Sequence, residues 1–246
     1  MQKTTSPTTK RPAKLTPMLR QYLEIKEQHQ DAILFYRMGD FYEMFFEDAK
    51  IASKILNITL TSRNSKSDKD RVPMCGIPFH AATGYLAKLV NNGNRVAICE
   101  QTEDPSQAKG IVKREVVRIV SPGVATDEEV LDAKTNRYVA SLIHQPAANN
   151  RIFGLAFLDL STGEFLVGEF NDPSENYDLV LDQISRMDPA EILIRADDEE
   201  HLADFLSTAQ ALIPCLCITK RAANTFSQIY PACSLSKYNS NPGSPV

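Results

Sequence analysis

Residues 35–45 read FYRMGDFYEMF, and this stretch decides the fold of the first half of the chain. Its first letters close an apolar run, Ala32–Met38, that is suited to a buried strand. Gly39 breaks the run, and Asp40 can cap a helix that follows it. The apolar positions of this second helix would recur at helical spacing, at Phe41, Phe45, Ala49, Ala52, Ile55 and Leu56. The pattern therefore predicts a strand, a glycine break and a helix.

Phe41 and Glu43 are the candidate functional residues of this stretch, and two interpretations of them are open. An aromatic ring at an exposed corner can enter a minor groove and wedge between base steps, and a mismatched step is the easiest to open. A carboxylate two residues on can accept a hydrogen bond from a displaced base. Alternatively, Asp40 and Glu43 have the spacing of a capping box, and Phe41 belongs to the core of the helix. The residue pattern alone favours this structural interpretation.

The rest of the first half is predicted to alternate helices and strands. Thr16 and Pro17 start a helix that runs to about Gln28. The other predicted elements are strands at Ile58–Ser62, Arg95–Cys99 and Glu115–Val120, a tight apolar segment at Pro73–Pro78 and a helix at His80–Val90. A basic loop with Lys109, Lys113 and Arg114 is a candidate for phosphate contact, although a merely solvated loop explains it equally well.

The second half is predicted to be an α/β domain with a mixed sheet, because three strands are followed by a helix, a strand and a helix. The turn Ser161-Thr162-Gly163 joins the second and third strands. The predicted elements are strands at Tyr138–Ile143, Ile152–Leu160 and Glu164–Phe170, a helix at about Ser174–Met187, a strand at Glu191–Ile194 and a helix at about Asp198–Ala209.

The charge is divided unequally between the two halves. Residues 1–125 carry 19 Lys and Arg against 13 Asp and Glu, whereas residues 126–246 carry 8 against 18. Such an asymmetry indicates two domains with different partners, and a basic first half is compatible with a polyanion such as DNA, although simple variation of solvated surface charge is the alternative explanation. No apolar run is long enough to span a bilayer, and the N-terminus lacks the apolar stretch of a secretory signal. A cytoplasmic location is expected.

The five cysteines are spread along the chain and do not form a metal-binding pattern. Cys75 and Cys99 lie in apolar runs and are predicted to be small buried hydrophobic residues. Cys215 and Cys217 have no second Cys or His pair at zinc-finger spacing. The sequence predicts no metal site.

Residues 35–45 closely resemble the Phe-x-Glu signature of the MutS family of DNA mismatch-recognition proteins. The resemblance covers about Thr16 to Val124 almost without a gap. It continues in order through TLTSR (59–63), PMCGIPFH (73–80), YLAKLV (85–90), VAICEQ (96–101) and RIVSPG (118–123).

The resemblance implies a role for five residues. Phe41 would stack on the mismatched base, and Glu43 would hydrogen-bond to that base. Met38 and Met74 would line the probe, and Arg63 would reach the DNA backbone. No catalytic residue is implied for this chain.

The implied fold is α/β, with an α+β mixed-sheet recognition domain followed by a ribonuclease-H-like α/β connector domain. A disordered tail would occupy residues 1–15, the recognition domain 16–125, the connector 126–221 and an atypical tail 222–246. The loop 64–70 lacks the glycine that the family often has there.

The resemblance also implies partners and cofactors. The DNA partner would be double-stranded, with mismatches or small loops, and the connector would contact a MutL-like repair factor. No G-x-x-x-x-G-K-[ST] motif occurs in the sequence. The family's clamp and its ATPase, with ATP, magnesium and the homodimer interface, are therefore expected beyond Val246, in a bacterial protein associated with the nucleoid.

Two alternatives remain. Asp159, Glu164 and Asp182 invite a metal-dependent nuclease interpretation, since ribonuclease-H-like sheets can hold magnesium between carboxylates. However, Asp159 and Glu164 flank a hairpin turn, where acidic residues are commonly only solvated. The other alternative is a protein-docking module on the acidic second half, which is compatible with DNA binding by the first.

Overall fold

Two mixed β-sheets organise the chain in this computed structural model. The structure describes residues 16–63, 71–103, 110–125, 135–146, 151–172 and 176–227. Within them, the recognition unit (residues up to 125) contains a six-stranded sheet, and the connector unit (residues from 135) contains a five-stranded sheet. The predicted α/β fold class is confirmed.

The recognition unit places its first strand in the interior of the sheet. Its strands follow the order β3-β4-β2-β1-β5-β6, in which β1 and β5 run parallel and all other neighbours are antiparallel. The elements are α1 (Pro17–Gln28), β1 (Ala32–Met38), β2 (Phe41–Phe45), α2 (Phe46–Leu56), β3 (Thr61–Arg63), β4 (Val72–Pro78), α3 (Ala82–Asn91), β5 (Arg95–Gln101) and β6 (Arg114–Val120). The first helix begins as predicted, with the Thr16 hydroxyl accepting a hydrogen bond from the Leu19 N–H.

The prediction that a helix begins at Asp40 is wrong. Residues 41–45 form strand β2, and helix α2 starts only at Phe46. Gly39 has φ +57°, so Gly39 and Asp40 form a two-residue hairpin turn. Side chains of β2 then alternate between the two faces of the sheet, with Tyr42 and Met44 on one. The Asp40–Glu43 capping box is therefore also wrong, because no helix begins between these residues.

The two faces of the first sheet are covered by different helices. Leu19 and Tyr22 of α1 pack on the face that carries Leu34, Tyr36 and Phe45. The apolar sides of α2 and α3 pack on the opposite face, with Ile33, Phe35, Tyr42, Met44, Cys75 and Ile77. Both Cys75 and Cys99 are buried as predicted, and burial raises the pKa of their thiols to about 11 and about 12 respectively.

The connector unit has strand order β11-β10-β7-β8-β9. Strands β7, β8 and β9 are paired antiparallel to one another, whereas β10 and β11 run parallel to β7. The elements are β7 (Tyr138–Pro146), β8 (Arg151–Asp159), β9 (Phe165–Asp172), α4 (Asp178–Met187), β10 (Glu191–Arg195), α5 (Ala203–Leu212), β11 (Cys217–Arg221) and the short α6 (Ala223–Ser227). Both α4 and α5 pack on one face of this sheet.

Three details of the connector differ from the sequence prediction. Helices α4 and α5 begin at Asp178 and Ala203, several residues later than predicted, and strand β11 was not predicted. A single turn of 3-10 helix, Ala196–Asp198, occupies the predicted start of α5. No helix in the described part of the chain is long and apolar enough to cross a membrane.

Candidate nucleic-acid interface

Phe41 opens strand β2 at the tip of the β1–β2 hairpin. It faces Met38 across the turn and Pro78 on the other neighbouring strand, so it lies on an interior strand with a partner on each side. Its side chain is nevertheless 48% exposed, although Tyr42, Met44 and Phe45 that follow it are buried. The turn is tied to the next strand, since the Phe79 N–H donates to the Asp40 carbonyl at 2.9 Å. The hairpin therefore presents one ring to solvent from a well-supported backbone.

The predicted site residues of the hairpin share the sheet face that α1 covers. Because side chains alternate along a strand, Phe41 and Glu43 are on the same side as Phe45, whose ring packs against Tyr22 of α1. Met38 and Met74 are half-buried at the border of this α1-side core. Gly76 pairs with Glu43 on the neighbouring strand and carries no side chain. This end of the sheet therefore carries half-buried Met38, Met74 and Glu43, with the exposed Phe41 at the hairpin tip.

Arg63 neutralises the only carboxylate predicted for the site. Its Nη1 lies 2.7 Å from Oε2 of Glu43, in a pair that reaches across β4 from the edge strand β3. Burial raises the pKa of Glu43 above its usual value, while the charges of Arg63 and Arg114 oppose that rise. The structure therefore brings Arg63 to Glu43, in a contact that the sequence did not predict.

Arg114 packs beside Met38 on the same, α1-covered face of the sheet. Its Nε donates to the Arg37 carbonyl at 2.7 Å, its Nη2 lies 3.5 Å from the Met38 sulfur, and its guanidinium lies 4.8 Å from the centre of the Tyr36 ring. The side chain is buried, which contradicts the suggestion that it belongs to a phosphate-contacting loop. Lys113 is exposed and paired with Glu115, and Lys109 lies outside the described residues.

The opposite side of the hairpin is braced by an aromatic and charged cluster. The Arg37 guanidinium lies 3.6 Å from the centre of the exposed Phe79 ring and near the Glu100 carboxylate. The Tyr42 hydroxyl also donates to Glu100, and its pKa is raised to about 12 by burial and then by that carboxylate. Sequence reasoning missed this brace, because its members lie far apart along the chain, as do Tyr42 and Glu100 at a separation of 58 residues.

The acidic residues of the connector are not arranged as a metal site. Asp159 accepts hydrogen bonds from the N–H groups of Ser161 and Arg137, and so closes the β8–β9 turn. Glu164 accepts from the Tyr138 hydroxyl, whereas Asp182 is exposed on α4 beside Arg186. Among the described residues, no group of three or more His, Cys, Asp and Glu side chains is placed to hold a metal ion.

Two family models match consecutive parts of the chain. The model of MutS domain I matches residues 16–129, and that of MutS domain II matches residues 137–229. The chain belongs to the MutS family. The recognition unit thus corresponds to MutS domain I and the connector unit to MutS domain II.

The curated relatives are MutS proteins much longer than this chain. The DNA mismatch repair protein MutS of Desulfatibacillum aliphaticivorans is 53% identical over 205 residues, which cover 80% of this chain and 22% of the relative. That of Staphylococcus saprophyticus is 47% identical over 201 residues, 82% of this chain and 22% of the relative. This chain therefore spans about a fifth of the length of these MutS relatives.

One solved structure outside the MutS family also resembles part of the chain. RNase H1 from the halophilic archaeon Halobacterium salinarum shares 16% sequence identity with a TM-score of 0.27, and covers 37% of this chain and 89% of that protein.

Proposed function

We propose that this chain supplies the mismatch-probing and connector parts of a MutS protein that acts in DNA mismatch repair. Phe41 is the wedge: its ring stacks on a mispaired base from the minor-groove side. The exposure of this one ring, at the tip of a hairpin braced on both faces, is the observation that carries the proposal. The names of the MutS relatives and the basic balance of the first half support it.

The bracing of the hairpin suits the mechanics of a wedge. Unstacking a base step costs a few kcal/mol, and the inserted ring must not yield when it meets the bases. Phe41 is held between Met38 and Pro78, and the turn is tied by the Phe79 N–H. A mismatched step opens at the lowest cost, so a rigid wedge discriminates by the deformability of the DNA.

Glu43 and Arg63 act together in this proposal. In the free protein Arg63 neutralises Glu43 at 2.7 Å. A phosphate oxygen offers the guanidinium an alternative partner, so Arg63 leaves the Glu43 carboxylate and binds the DNA backbone when the hairpin enters the minor groove. Glu43 is then available for the displaced base, and its raised pKa allows it to be protonated more readily beside the phosphates. Met38 and Met74 provide the adaptable apolar border of the ring.

The connector and the longer protein complete the proposal. The connector contacts a MutL-like repair factor, and the full-length protein is a homodimer that binds ATP and magnesium through its other domains. An apolar hollow of about 290 Å³ lies on the connector sheet, bordered by Val139, Leu158, Phe165 and Val167. Hollows of this kind are common at protein-binding surfaces. Titration of the isotope-labelled chain with a MutL-like protein should move the NMR signals of these strands and leave those of β1 and β2 unchanged.

The decisive experiment compares two exposed phenylalanines. Phe41→Ala removes the wedge, and Phe165→Ala is the matched control, since its ring is 62% exposed in the connector unit. Binding of the chain to a duplex with one G·T mismatch and to its fully paired counterpart is measured by NMR titration. Stacking of one ring on a base contributes about 1 to 3 kcal/mol, so Phe41→Ala should reduce the mismatch preference by about 5- to 150-fold. Phe165→Ala should leave the preference unchanged.

An unchanged mismatch preference in Phe41→Ala would refute the wedge assignment. The chemical shifts of β1 and β2 amides provide the control for folding, because Phe41 makes few buried contacts and its removal should not disturb the sheet.

A further inference from the structure

Glu191 is a buried carboxylate at the boundary between the two units. It is the first residue of β10, in the interior of the connector sheet, and it is 1% exposed. Its Oε2 accepts hydrogen bonds from the Ser121 hydroxyl at 2.5 Å and from the Gly123 N–H at 3.0 Å. Its Oε1 accepts from the Thr219 hydroxyl of β11 at 2.6 Å. Two of its three donors therefore belong to the end of the recognition unit.

A carboxylate in this position is stable only while those donors are present. Burying an ionised group without partners costs far more than a typical hydrogen bond provides, and charged acceptors form the stronger bonds. Thr219 satisfies one oxygen from within the connector. The other oxygen is satisfied only by Ser121 and Gly123 among the described residues, so a movement between the units that kept Glu191 buried would leave this oxygen without a donor.

The backbone of the recognition unit approaches the connector too closely for side chains at two glycines. A Cβ added at Gly123 would lie 2.8 Å from the Cβ atoms of Glu191 and Val139, a distance that real Cβ atoms do not adopt. A Cβ added at Gly93, which follows α3, would lie 2.3 Å from the Cys215 carbonyl oxygen. These are two separate points of direct contact between the units.

Arg137 of the connector supplies a third fastening. Its Nε donates to the carbonyl of Pro122, between the two residues that bind Glu191, and its Nη1 donates to Oδ1 of Asn91 at 3.0 Å. The side chain is partly buried at the boundary, and this burial lowers the pKa of the guanidinium. The segment 121–123 is thus held from both sides.

We infer that Glu191 is a positioning residue that locks residues 121–123 into the connector sheet, so that the recognition unit and the connector unit turn as one rigid body. The hairpin tip then has a fixed direction relative to the connector. This inference concerns orientation alone, and it stands whether or not Phe41 is a wedge.

The test measures the relative orientation of the two units in the intact chain. Residual dipolar couplings are recorded for amides of β1, β2 and β5, and separately for amides of β7, β8 and β10. A single alignment tensor should fit both sets in the native chain. Glu191→Met keeps the side-chain size but removes both acceptor oxygens, and it should give two tensors of different magnitude while the amide shifts within each sheet are retained.

Two variants distinguish positioning from a general loss of stability. Glu191→Gln retains one acceptor oxygen for Ser121 and Gly123, and its amide can donate to the Thr219 hydroxyl, so it should restore the single tensor. Glu164→Met removes an exposed connector carboxylate and should also keep one tensor. A single tensor in Glu191→Met would overturn the inference.

If Glu191→Met does not fold, milder changes on the other side of the boundary decide the matter. Ser121→Ala deletes one donor, and Gly123→Ala introduces the clash with Glu191 and Val139. Gly154→Ala is the control, because its Cβ would meet Ile143 at an ordinary 4.0 Å. Both boundary variants should give two tensors and speed hydrogen exchange at residues 123–125 by at least about tenfold, whereas Gly154→Ala should do neither. Unchanged couplings in both boundary variants would refute the lock.

Discussion

Two hairpins of the molecule open their second strand with an exposed phenylalanine, and they differ in what surrounds the ring. Phe41 begins an interior strand, with Met38 and Pro78 on either side. Phe165 begins β9, which is the edge strand of its sheet, and has a partner only in Leu158. Exposure is similar in the two hairpins, but only the first ring is supported on both sides.

The two hairpins also differ in how firmly their carboxylates are held. Asp159 is fully buried; its Oδ1 accepts from the N–H and the hydroxyl of Ser161 in the turn, and its Oδ2 accepts from the Arg137 N–H before β7. Among the side chains that the structure describes, only Arg63 holds Glu43, and Arg63 is itself more than a third exposed. A carboxylate whose oxygens all accept backbone hydrogen bonds stabilises the fold, whereas a carboxylate paired with one exposed arginine can exchange that partner for another. Local support and available partners, more than exposure, therefore distinguish a probing surface from an ordinary turn.

The largest expected effect comes from breaking the connector hairpin. Asp159→Ala leaves the N–H groups of Ser161 and Arg137 without their acceptor, so it should destabilise the connector by about 3 kcal/mol. Asp182→Ala removes only an exposed helix pair with Arg186 and should cost less than about 0.5 kcal/mol. Hydrogen exchange of the β8 amides measures both. Equal protection in the two variants would show that Asp159 does not hold the turn.

Alanine substitutions at the two turn glycines test the same comparison of the hairpins, with a smaller expected loss of stability. Gly39 has φ +57° and Gly163 has φ +74°, so alanine should destabilise either turn by about 1 to 2 kcal/mol. Only Gly39→Ala should also weaken mismatch preference, since it displaces Phe41. DNA titration of the two variants at matched folded fraction measures the difference. A similar loss of preference in Gly163→Ala would mean that the connector hairpin also contributes to DNA binding.

The pKa values of Glu43 and Asp159 are shifted in opposite directions, so the stability of the two units should respond to pH with opposite signs. Burial raises the pKa of Glu43, so the recognition unit loses stability as the pH rises from the usual carboxyl value, about 4, through the folded value. For Asp159, burial acts to raise the pKa, but the hydrogen bonds from Ser161, Arg137 and Thr162 outweigh it and lower the value. The connector therefore loses stability as the pH falls through the folded pKa of Asp159. Carboxyl ¹³C chemical shifts measured against pH check both signs.

The smallest expected effect isolates Arg63. Arg63→Gln removes the opposing charge at 2.7 Å, and the pKa of Glu43 should rise further. Lys50→Gln, at an exposed pair with Glu47 in the same unit, is the control and should leave the titration of Glu43 unchanged. An unshifted Glu43 in Arg63→Gln would indicate that the ion pair is not populated in solution.

The sequence predicted the elements whose pattern is unambiguous and missed those that depend on distant pairing. The apolar run at β1 predicted its strand, and the cap at Thr16 predicted the start of α1. The spacing of Phe41 and Phe45 fits a helix, but it also places both rings on one face of a strand. Pairing with the adjacent β1, and with β4 at partners 29 to 37 positions away, decides between a helix and a strand.

The candidate site was predictable from the sequence only through resemblance to MutS. Residue pattern alone favoured a capping box for Asp40 and Glu43, which the hairpin excludes. The contacts of Arg114 with Arg37 and of Tyr42 with Glu100 join residues 77 and 58 positions apart, and no local pattern marks them. The roles of Phe41, Glu43, Met38, Met74 and Arg63 toward DNA remain predictions.

The parallel pairing of β1 with β5 has a consequence for biosynthesis. Ala32–Tyr36 of β1 pairs with Arg95–Cys99 of β5, so β1 lacks this neighbouring strand until the chain has grown past residue 99. Contacts of such sequence separation close slowly, and unpaired apolar strands are prone to aggregate meanwhile. During translation, Leu34, Phe35 and Tyr36 therefore remain unpaired with β5 until more than sixty further residues have been synthesised. We expect chaperones to bind this exposed apolar segment during that time.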